Sequence, residues 1–203
     1  MIDKPHWYDG LIYDKIIAPN QERLFLQIES LLEHHANVID VGCGTGFFSF
    51  LAADSCQTIL GIDLSSKNIR QASYNLSISE NKNLSFRHAS IRDLIQEKNL
   101  HFDFAVLTFV IHEVNENERI GLLNDIFELT DKLIIADYLI PQRTDFWKNS
   151  TNFVEFVAGR EHFRNFKSFE SLGGLHYLVR QTGLTIEYEI INRYNQIMIL
   201  TKK

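Results

Sequence analysis

The sequence predicts an α/β protein with a doubly wound, seven-stranded, mostly parallel sheet, an antiparallel last strand and helices on both faces. Three observations predict this fold. Apolar, β-branched segments alternate with amphipathic segments through most of the 203 residues. A glycine cluster follows the first predicted strand, and the chain closes with two alternating segments around a turn. The length favours one domain, 1–203, because a chain of this size forms a single core.

The first half of the chain is predicted to form three strand–helix units. Each strand is apolar or β-branched, and each following segment has helical spacing of its apolar residues. The strands are predicted at 37–43, 56–63 and 84–90, and the helices at 45–55, 65–80 and 91–99. Ser65 or Ser66 is a suitable N-cap for the second helix.

The second half continues the alternation and then changes character at Pro141. Strands are predicted at 102–111 and 131–140, with an amphipathic helix at 115–130 between them. Residues 141–170 mix aromatic and charged side chains without a strand signal, which indicates a lid-like insertion. A helix at 172–183 ends at Gly183, and strands at 185–193 and 195–203 form a hairpin. Residues 1–30 are predicted to form an N-terminal helical cover.

Composition excludes several classes of protein. The net charge is −6 and the pI is about 5.7, so the chain lacks the overall charge of a non-specific nucleic-acid binder. The longest apolar run, 104–111, is too short to span a membrane, and the first residues hold no apolar signal core. Cys43 and Cys56 make no disulfide framework, which favours a reducing cytoplasm. We assign no metal site from the sequence and expect no nucleic-acid or membrane partner.

A glycine-rich turn follows the first strand. Gly42, Gly44 and Gly46 let the backbone turn tightly and approach a ligand closely. The dinucleotide fingerprint G-x-G-x-x-G does not fit, because the third glycine falls one residue early and Phe47 stands in its place. A carboxylate at Asp40, just before the turn, disfavours a pyrophosphate and suits a ligand that carries an ammonium and a sulfonium.

Asp63 ends the second strand, 17 residues after Gly46. An acid in this position is placed to accept hydrogen bonds from ribose hydroxyls. The alternative is that Asp63 only caps the helix that begins near Ser65.

These residues resemble the class I S-adenosylmethionine-dependent methyltransferases. The resemblance rests on VIDVGCGTGFFSF (38–50) and GIDLSSKNIRQA (61–72), and weaker likenesses extend over most of the chain. It implies S-adenosyl-L-methionine as cofactor, with S-adenosyl-L-homocysteine as product. The implied cofactor-binding residues are Asp40, Gly42, Gly44, Gly46, Asp63, Leu64, Ser90, Ile91 and Thr108. An acid often contacts the adenine amino group in this family, but here Ser90 stands at that position and Asp93 lies three residues on.

His112, in the loop after the fourth strand, is the predicted catalytic residue, and Glu113 lies beside it. An imidazole titrates near neutral pH and can accept a proton from an acceptor molecule. The alternative is a histidine that only forms hydrogen bonds within the loop. Tyr138, beyond the fifth strand, is a weaker candidate.

The predicted function is methyl transfer to a small molecule. The chain lacks the Asn-Pro-Pro or Asp-Pro-Pro-aromatic segment of amino-group nucleic-acid methylases, and neither cysteine is placed as a cytosine C5 nucleophile. Aromatic segments at 5–19 and 146–170 are predicted to cover the substrate. A basic cluster, Arg160, His162, Arg164 and Lys167, either meets an anionic substrate or pairs with nearby glutamates. Two alternatives stay open: an NAD-dependent oxidoreductase on a similar fold, and a non-catalytic cofactor-binding regulatory protein.

Overall fold

The computed structural model describes residues 21–97, 100–141 and 159–203. The predicted aromatic cover at 5–19 and most of the predicted insertion at 141–170 lie outside the described residues. Within the described ranges, no helix is both long enough and apolar enough to span a lipid bilayer.

The described strands and helices alternate as the sequence predicts. The strands are β1 (Asn37–Val41), β2 (Thr58–Asp63), β3 (Leu84–His88), β4 (Phe102–Thr108), β5 (Thr130–Tyr138), β6 (Thr185–Ile191) and β7 (Asn195–Thr201). The helices are α1 (Glu22–Glu29), α2 (Phe47–Ala52), α3 (Ser66–Ser77), α4 (Ile91–Ile95), α5 (Glu116–Ile126), α6 (Arg160–Leu172) and α7 (Gly174–Thr182). A 3₁₀ turn, Ala53–Ser55, follows α2.

The strands form one seven-stranded sheet in the order β3-β2-β1-β4-β5-β7-β6. β1 pairs in parallel with β2, and β2 with β3. β7 is antiparallel to both β5 and β6. The predicted fold, a mostly parallel sheet with an antiparallel end, is therefore confirmed. The central strands are apolar and buried along their length, as strands covered on both faces must be.

The chain divides into two compact units. The first unit comprises 1–106 and 128–131, and the second comprises 107–127 and 132–203. The first unit contains β1 to β3 with helices α1 to α4, and Phe25 of α1 packs on Phe47 and Phe48 of α2. The second contains α5 to α7 and the terminal hairpin. The prediction of a single domain over 1–203 stays a prediction.

Several predicted boundaries differ from the structure, and three of these differences have a clear backbone reason. The helix predicted from residue 45 begins at Phe47, because Gly46 at φ +85° is left-handed. The strand predicted to reach residue 111 ends at Thr108, since Phe109 has φ +54°. The helix predicted at 172–183 is α7 alone, and α6 precedes it inside the predicted insertion. Gly173 at φ +103° separates the two helices.

Two predicted caps are confirmed. The hydroxyl of Ser65 accepts from the backbone N–H of Asn68 and so caps α3. Gly183, at φ +67°, ends α7 in the left-handed conformation. Ser65 rather than Ser66 is therefore the N-cap of α3.

Candidate functional site

The glycine turn between β1 and α2 is held in a left-handed conformation. Gly42, Gly44 and Gly46 have φ values of +74°, +57° and +85°. The N–H of Gly42 donates to the carbonyl of Ile62 at 2.8 Å, which attaches the turn to β2. A Cβ on Gly46 would lie 2.5 Å from Cζ of Phe86. Glycine is needed here both for the backbone angle and for the close packing.

Asp63 connects the glycine turn to the loop after β2. One carboxylate oxygen accepts from the N–H of Gly44 at 2.9 Å, and the other accepts from the N–H of Ser65 at 2.7 Å. The alternative that Asp63 is the cap of α3 was wrong, because Ser65 is the N-cap.

Asp40 is a buried acid at the end of β1, with a relative exposure of 3%. Its Oδ2 accepts from the hydroxyl of Ser49 at 2.7 Å. Burial raises the pKa of Asp40 from 3.8 to about 7; the Ser49 hydrogen bond lowers it and the nearby charge of Asp63 raises it. Among the described residues no basic side chain pairs with it. A ligand ammonium would therefore find here a carboxylate that lacks a cation.

The predicted adenine residues lie around α4 and the loop after β2. The carbonyl of Leu64 lies 3.0 Å from Nε2 of His88, and Ile91 is buried at the start of α4. Ser90 is the N-cap of α4: its hydroxyl donates to Asp93 at 2.7 Å and accepts from the Asp93 N–H. The acid three residues on is thus part of a capping box. The Ser90 side chain is engaged within the protein.

Two further residues that the sequence singles out are Thr108, in the second unit, and Cys43, in the first. The hydroxyl of Thr108, at the end of β4, is buried and forms no hydrogen bond within the described residues. It therefore fits a polar ligand atom. Burial raises the pKa of the Cys43 thiol well above its usual value, and the charges of Asp40 and Asp63 raise it further. The thiol therefore stays protonated, in agreement with the prediction that it is not a nucleophile.

The second unit holds a buried histidine–carboxylate pair. His112 is 2% exposed and Asp137, in β5, is 0% exposed. Nδ1 of His112 lies 2.8 Å from Oδ1 of Asp137. Because a carboxylate accepts, we assign the donor role to Nδ1, and Nε2 is then the ring nitrogen that carries a lone pair in the neutral imidazole. Aromatic rings surround the imidazole with centroids 4.9–6.5 Å away. They belong to Phe109, Tyr138, His162, Phe166 and Phe169.

Two further groups stand close to Nε2 of His112. Oε1 of Glu113 lies 3.9 Å from it and 3.7 Å from Nε2 of His162, which α6 contributes. Sequence reasoning missed the role of Asp137 and treated His162 only as part of a basic cluster. No spacing signal joins residues 112, 137 and 162.

A buried arginine holds α6 against the loop after β4. Arg119 of α5 is 1% exposed. Its Nε donates to the carbonyl of Val114 at 3.0 Å, and one terminal nitrogen donates to the carbonyl of Asn165 at 2.6 Å. The amide of Asn165 donates in turn to the carbonyl of Glu113 at 2.7 Å. The positions of Glu113 and of α6 are therefore coupled by hydrogen bonds.

Comparisons with known proteins bear on this arrangement. A family model described as a methyltransferase domain matches residues 32–152. A ubiquinone biosynthesis O-methyltransferase of Nitrosospira multiformis is 35% identical over 173 residues, which cover 79% of this chain and 67% of the relative. An uncharacterised RNA methyltransferase of Mycoplasma mobile is 25% identical over 165 residues. That match covers 78% of this chain but only 43% of the relative.

Solved structures agree at the level of the fold. The N-methyltransferase NodS from Bradyrhizobium japonicum, crystallised with S-adenosyl-l-homocysteine, superposes with a TM-score of 0.65 at 12% identity. The match covers 96% of this chain and 92% of that one. The family model covers more than half of the chain. The chain belongs to the class I S-adenosylmethionine-dependent methyltransferases.

Proposed function

We propose that the protein transfers a methyl group from S-adenosylmethionine to a small-molecule acceptor. The observation that carries the proposal is the glycine turn, in which the N–H of Gly44 is held by the carboxylate of Asp63. The family match favours this function over an NAD-dependent oxidoreductase.

The residues of the first unit fit the cofactor. Asp40 would receive the ammonium, Asp63 the ribose hydroxyls, and the backbone at Gly42, Gly44 and Gly46 the methionine portion. Leu64, Ile91 and the backbone at Ser90 would contact the adenine. In the second unit, the buried hydroxyl of Thr108 suits the methionine or methyl side. S-adenosylmethionine, when bound, supplies an electrophilic methyl group, so the chain must position an acceptor and exclude water.

His112 is the proposed catalytic residue for the acceptor. Its Nε2 is the atom that acts, because Nδ1 is engaged by Asp137 at 2.8 Å. Nε2 can take a proton from the acceptor, as the sequence predicts, or it can bind an ion that holds the acceptor. A fixed tautomer and a buried, aromatic surrounding favour either role over that of a surface histidine.

The surroundings of His112 favour a small acceptor with an apolar or planar body. Tyr138 and Phe166 pack on one another with ring centroids 5.4 Å apart, and Phe109 packs on Tyr138 at 5.1 Å. The acidic net charge also argues against a polyanionic acceptor. RNA is the second candidate, because one relative is an RNA methyltransferase. The exposed Arg160 and Arg164 on α6 would be its local contacts.

Cofactor binding tests the first part of the proposal. Calorimetry with S-adenosylhomocysteine should give saturable binding, and NAD should give none. Asp63→Ala should weaken binding at least tenfold, since hydrogen bonds to a charged group contribute about 1.5–3 kcal/mol each. The control is Asp54→Ala, an exposed acid in the 3₁₀ turn, which should bind normally. Unchanged affinity in Asp63→Ala would refute the ribose assignment.

Turnover tests the acceptor class. Labelled S-adenosylmethionine should transfer its methyl group to a compound in a metabolite extract, and mass analysis should identify the product. A total RNA fraction labelled instead of the metabolites would replace the small-molecule proposal with the RNA one. Cofactor binding with no labelled product from metabolites, RNA or protein would favour the regulatory alternative.

A further inference from the structure

Three residues of types that bind metal ions form a cluster in the second unit. His112 and Glu113 come from the loop after β4, and His162 comes from α6. One donor atom from each residue lies within 4.8 Å of the other two. Both histidines are more than nine-tenths buried. About 50 residues separate His162 from the other two, so no spacing motif in the sequence indicates this cluster.

The donor set matches divalent transition-metal sites. Two histidines and one carboxylate hold catalytic zinc and non-haem iron in proteins, with other coordination positions left for water or substrate. Ligand atoms at metal bonds of 2.0–2.1 Å stand about 3.4 Å apart in a tetrahedral site. The two histidine–glutamate separations of 3.9 and 3.7 Å need to close by only a few tenths of an ångström. The two histidine nitrogens lie within 4.8 Å of one another, so side-chain rotation has to bring this pair together to reach the same spacing.

Asp137 is the hydrogen-bond acceptor that a metal-binding histidine requires for its second ring nitrogen. Such histidines usually donate the second ring N–H to a carboxylate or carbonyl, which fixes the tautomer and increases the basicity of the bound nitrogen. Nδ1 of His112 makes this bond with Asp137 at 2.8 Å. The N–H of Tyr138 also donates to the same carboxylate oxygen at 2.7 Å. The lone pair of His112 Nε2 is thereby directed away from Asp137.

The cluster is held in place by groups that do not bind the ion. Asn165 donates to the carbonyl of Glu113, and Arg119 donates to the carbonyl of Asn165. This network ties α6, which carries His162, to the loop that carries His112.

We propose that Nε2 of His112, Oε1 of Glu113 and Nε2 of His162 bind one divalent first-row transition-metal ion that coordinates the acceptor. The part of this inference that concerns the acceptor rests on the proposed function, whereas the part that concerns binding of the ion rests on the cluster alone. An acceptor hydroxyl bound to such an ion ionises more readily than a free one. Its proton passes to water, and the oxygen's electron pair forms the new O–CH₃ bond as the S–CH₃ bond breaks. His112 is then a ligand, and the general-base role predicted for it falls away.

Metal binding by the full chain tests the proposal directly. Protein stripped with a chelator is titrated with Co²⁺, followed by visible absorption, and with Zn²⁺, followed by calorimetry. We expect one ion per chain. His162→Gln should weaken binding at least about a hundredfold, and Asp137→Asn about 10–100-fold. The matched control is His176→Gln, because His176 lies on α7 in the same unit and pairs with Glu189; it should bind as the wild type does. Circular dichroism of each variant establishes that it is folded.

Two outcomes would overturn the metal site. The first is that neither Co²⁺ nor Zn²⁺ binds at one ion per chain. The second is that the ion binds but His162→Gln leaves its affinity unchanged. In either case the cluster is a set of histidine–glutamate ion pairs. His112→Gln then tests the base role, and a loss of more than about tenfold in turnover supports it.

Failure of this inference and failure of the proposed function give different results. Stripped protein should bind S-adenosylhomocysteine as tightly as untreated protein does, while methyl transfer should fall and return when the ion is restored. Full turnover in stripped protein refutes the metal role and leaves the methyltransferase proposal standing. Absence of cofactor binding refutes the proposed function, whereas the ion titration still decides the metal site.

Discussion

The glycine turn and the His112 cluster are built in opposite ways. The turn draws its groups from residues 40–65, and the groups proposed to bind the cofactor there are backbone N–H groups and two carboxylates. The His112 cluster draws side chains from residues 112, 113, 137 and 162, and a buried arginine holds them together. The difference teaches that a cofactor shared by a whole family can be held by local backbone geometry. Groups for an individual acceptor come instead from side chains that only the folded chain brings together.

The largest expected effect is a pH dependence of the free energy of unfolding, which comes from Asp40 in the region of the glycine turn. Burial raises the pKa of Asp40 to about 7 in the folded protein, against 3.8 for a free aspartate side chain. The folded state therefore holds a proton that the unfolded state has lost between about pH 4 and 7, and the free energy of unfolding falls as pH rises through that window. A shift of this size corresponds to roughly 4 kcal/mol.

Asp40→Asn should remove this component of the pH dependence. Urea unfolding at pH 5 and pH 8 should show the variant gaining on the wild type as pH rises. Asp54→Asn serves as the exposed control. Parallel pH profiles for Asp40→Asn and the wild type would mean that the pKa of Asp40 is not raised.

Arg119→Met should loosen the second region and leave the first intact. The carbonyls of Val114 and Asn165 would lose their donors, and the free energy of unfolding should fall by about 3 kcal/mol. Arg180→Met, on the exposed side of α7, is the control. Hydrogen exchange should increase along α6, while affinity for S-adenosylhomocysteine stays within about threefold. A large loss of cofactor affinity would contradict the expectation that Arg119→Met leaves the region of the glycine turn intact.

Gly46→Ala should damage the first region through both backbone strain and packing. The new Cβ would meet Phe86 at 2.5 Å in a left-handed conformation. Gly183→Ala is the matched control, because it has a similar φ of +67° and open space around it. Left-handed strain costs about 1–2 kcal/mol in both variants, and overpacking adds about 2 kcal/mol at Gly46 alone. Chemical denaturation measures the difference; equal losses would show that Phe86 moves aside.

Ser90→Ala should give the smallest effect, and it tests whether the Ser90 side chain recognises the adenine. Loss of the N-cap of α4 should reduce the free energy of unfolding by about 1 kcal/mol. The Ser90 hydroxyl already donates to Asp93, so affinity for S-adenosylhomocysteine should change less than about twofold. A tenfold loss of affinity would instead make the Ser90 side chain the group that recognises the adenine.

Sequence reasoning succeeded where structure is local. Alternating strands and helices, the terminal hairpin, and the caps at Ser65 and Gly183 follow from patterns within a few residues of each other. Sequence reasoning failed where the backbone departs from regular helix or strand angles and no residue type indicates the departure. Phe109 takes φ +54° although it is not a glycine, so nothing in the sequence ended β4 at Thr108. Gly173 was assigned to a helix interior, yet it separates α6 from α7.

By itself the sequence determined the fold class, the cofactor and the groups proposed to hold it. These groups lie at or just after the ends of β1 to β4, where chain connectivity places them. The tertiary structure alone decided that Asp137 holds Nδ1 of His112, that His162 faces Glu113, and that Arg119 is buried. Those contacts join residues 25 to 50 positions apart, and packing of side chains, which leaves no periodic trace in the sequence, sets their distances.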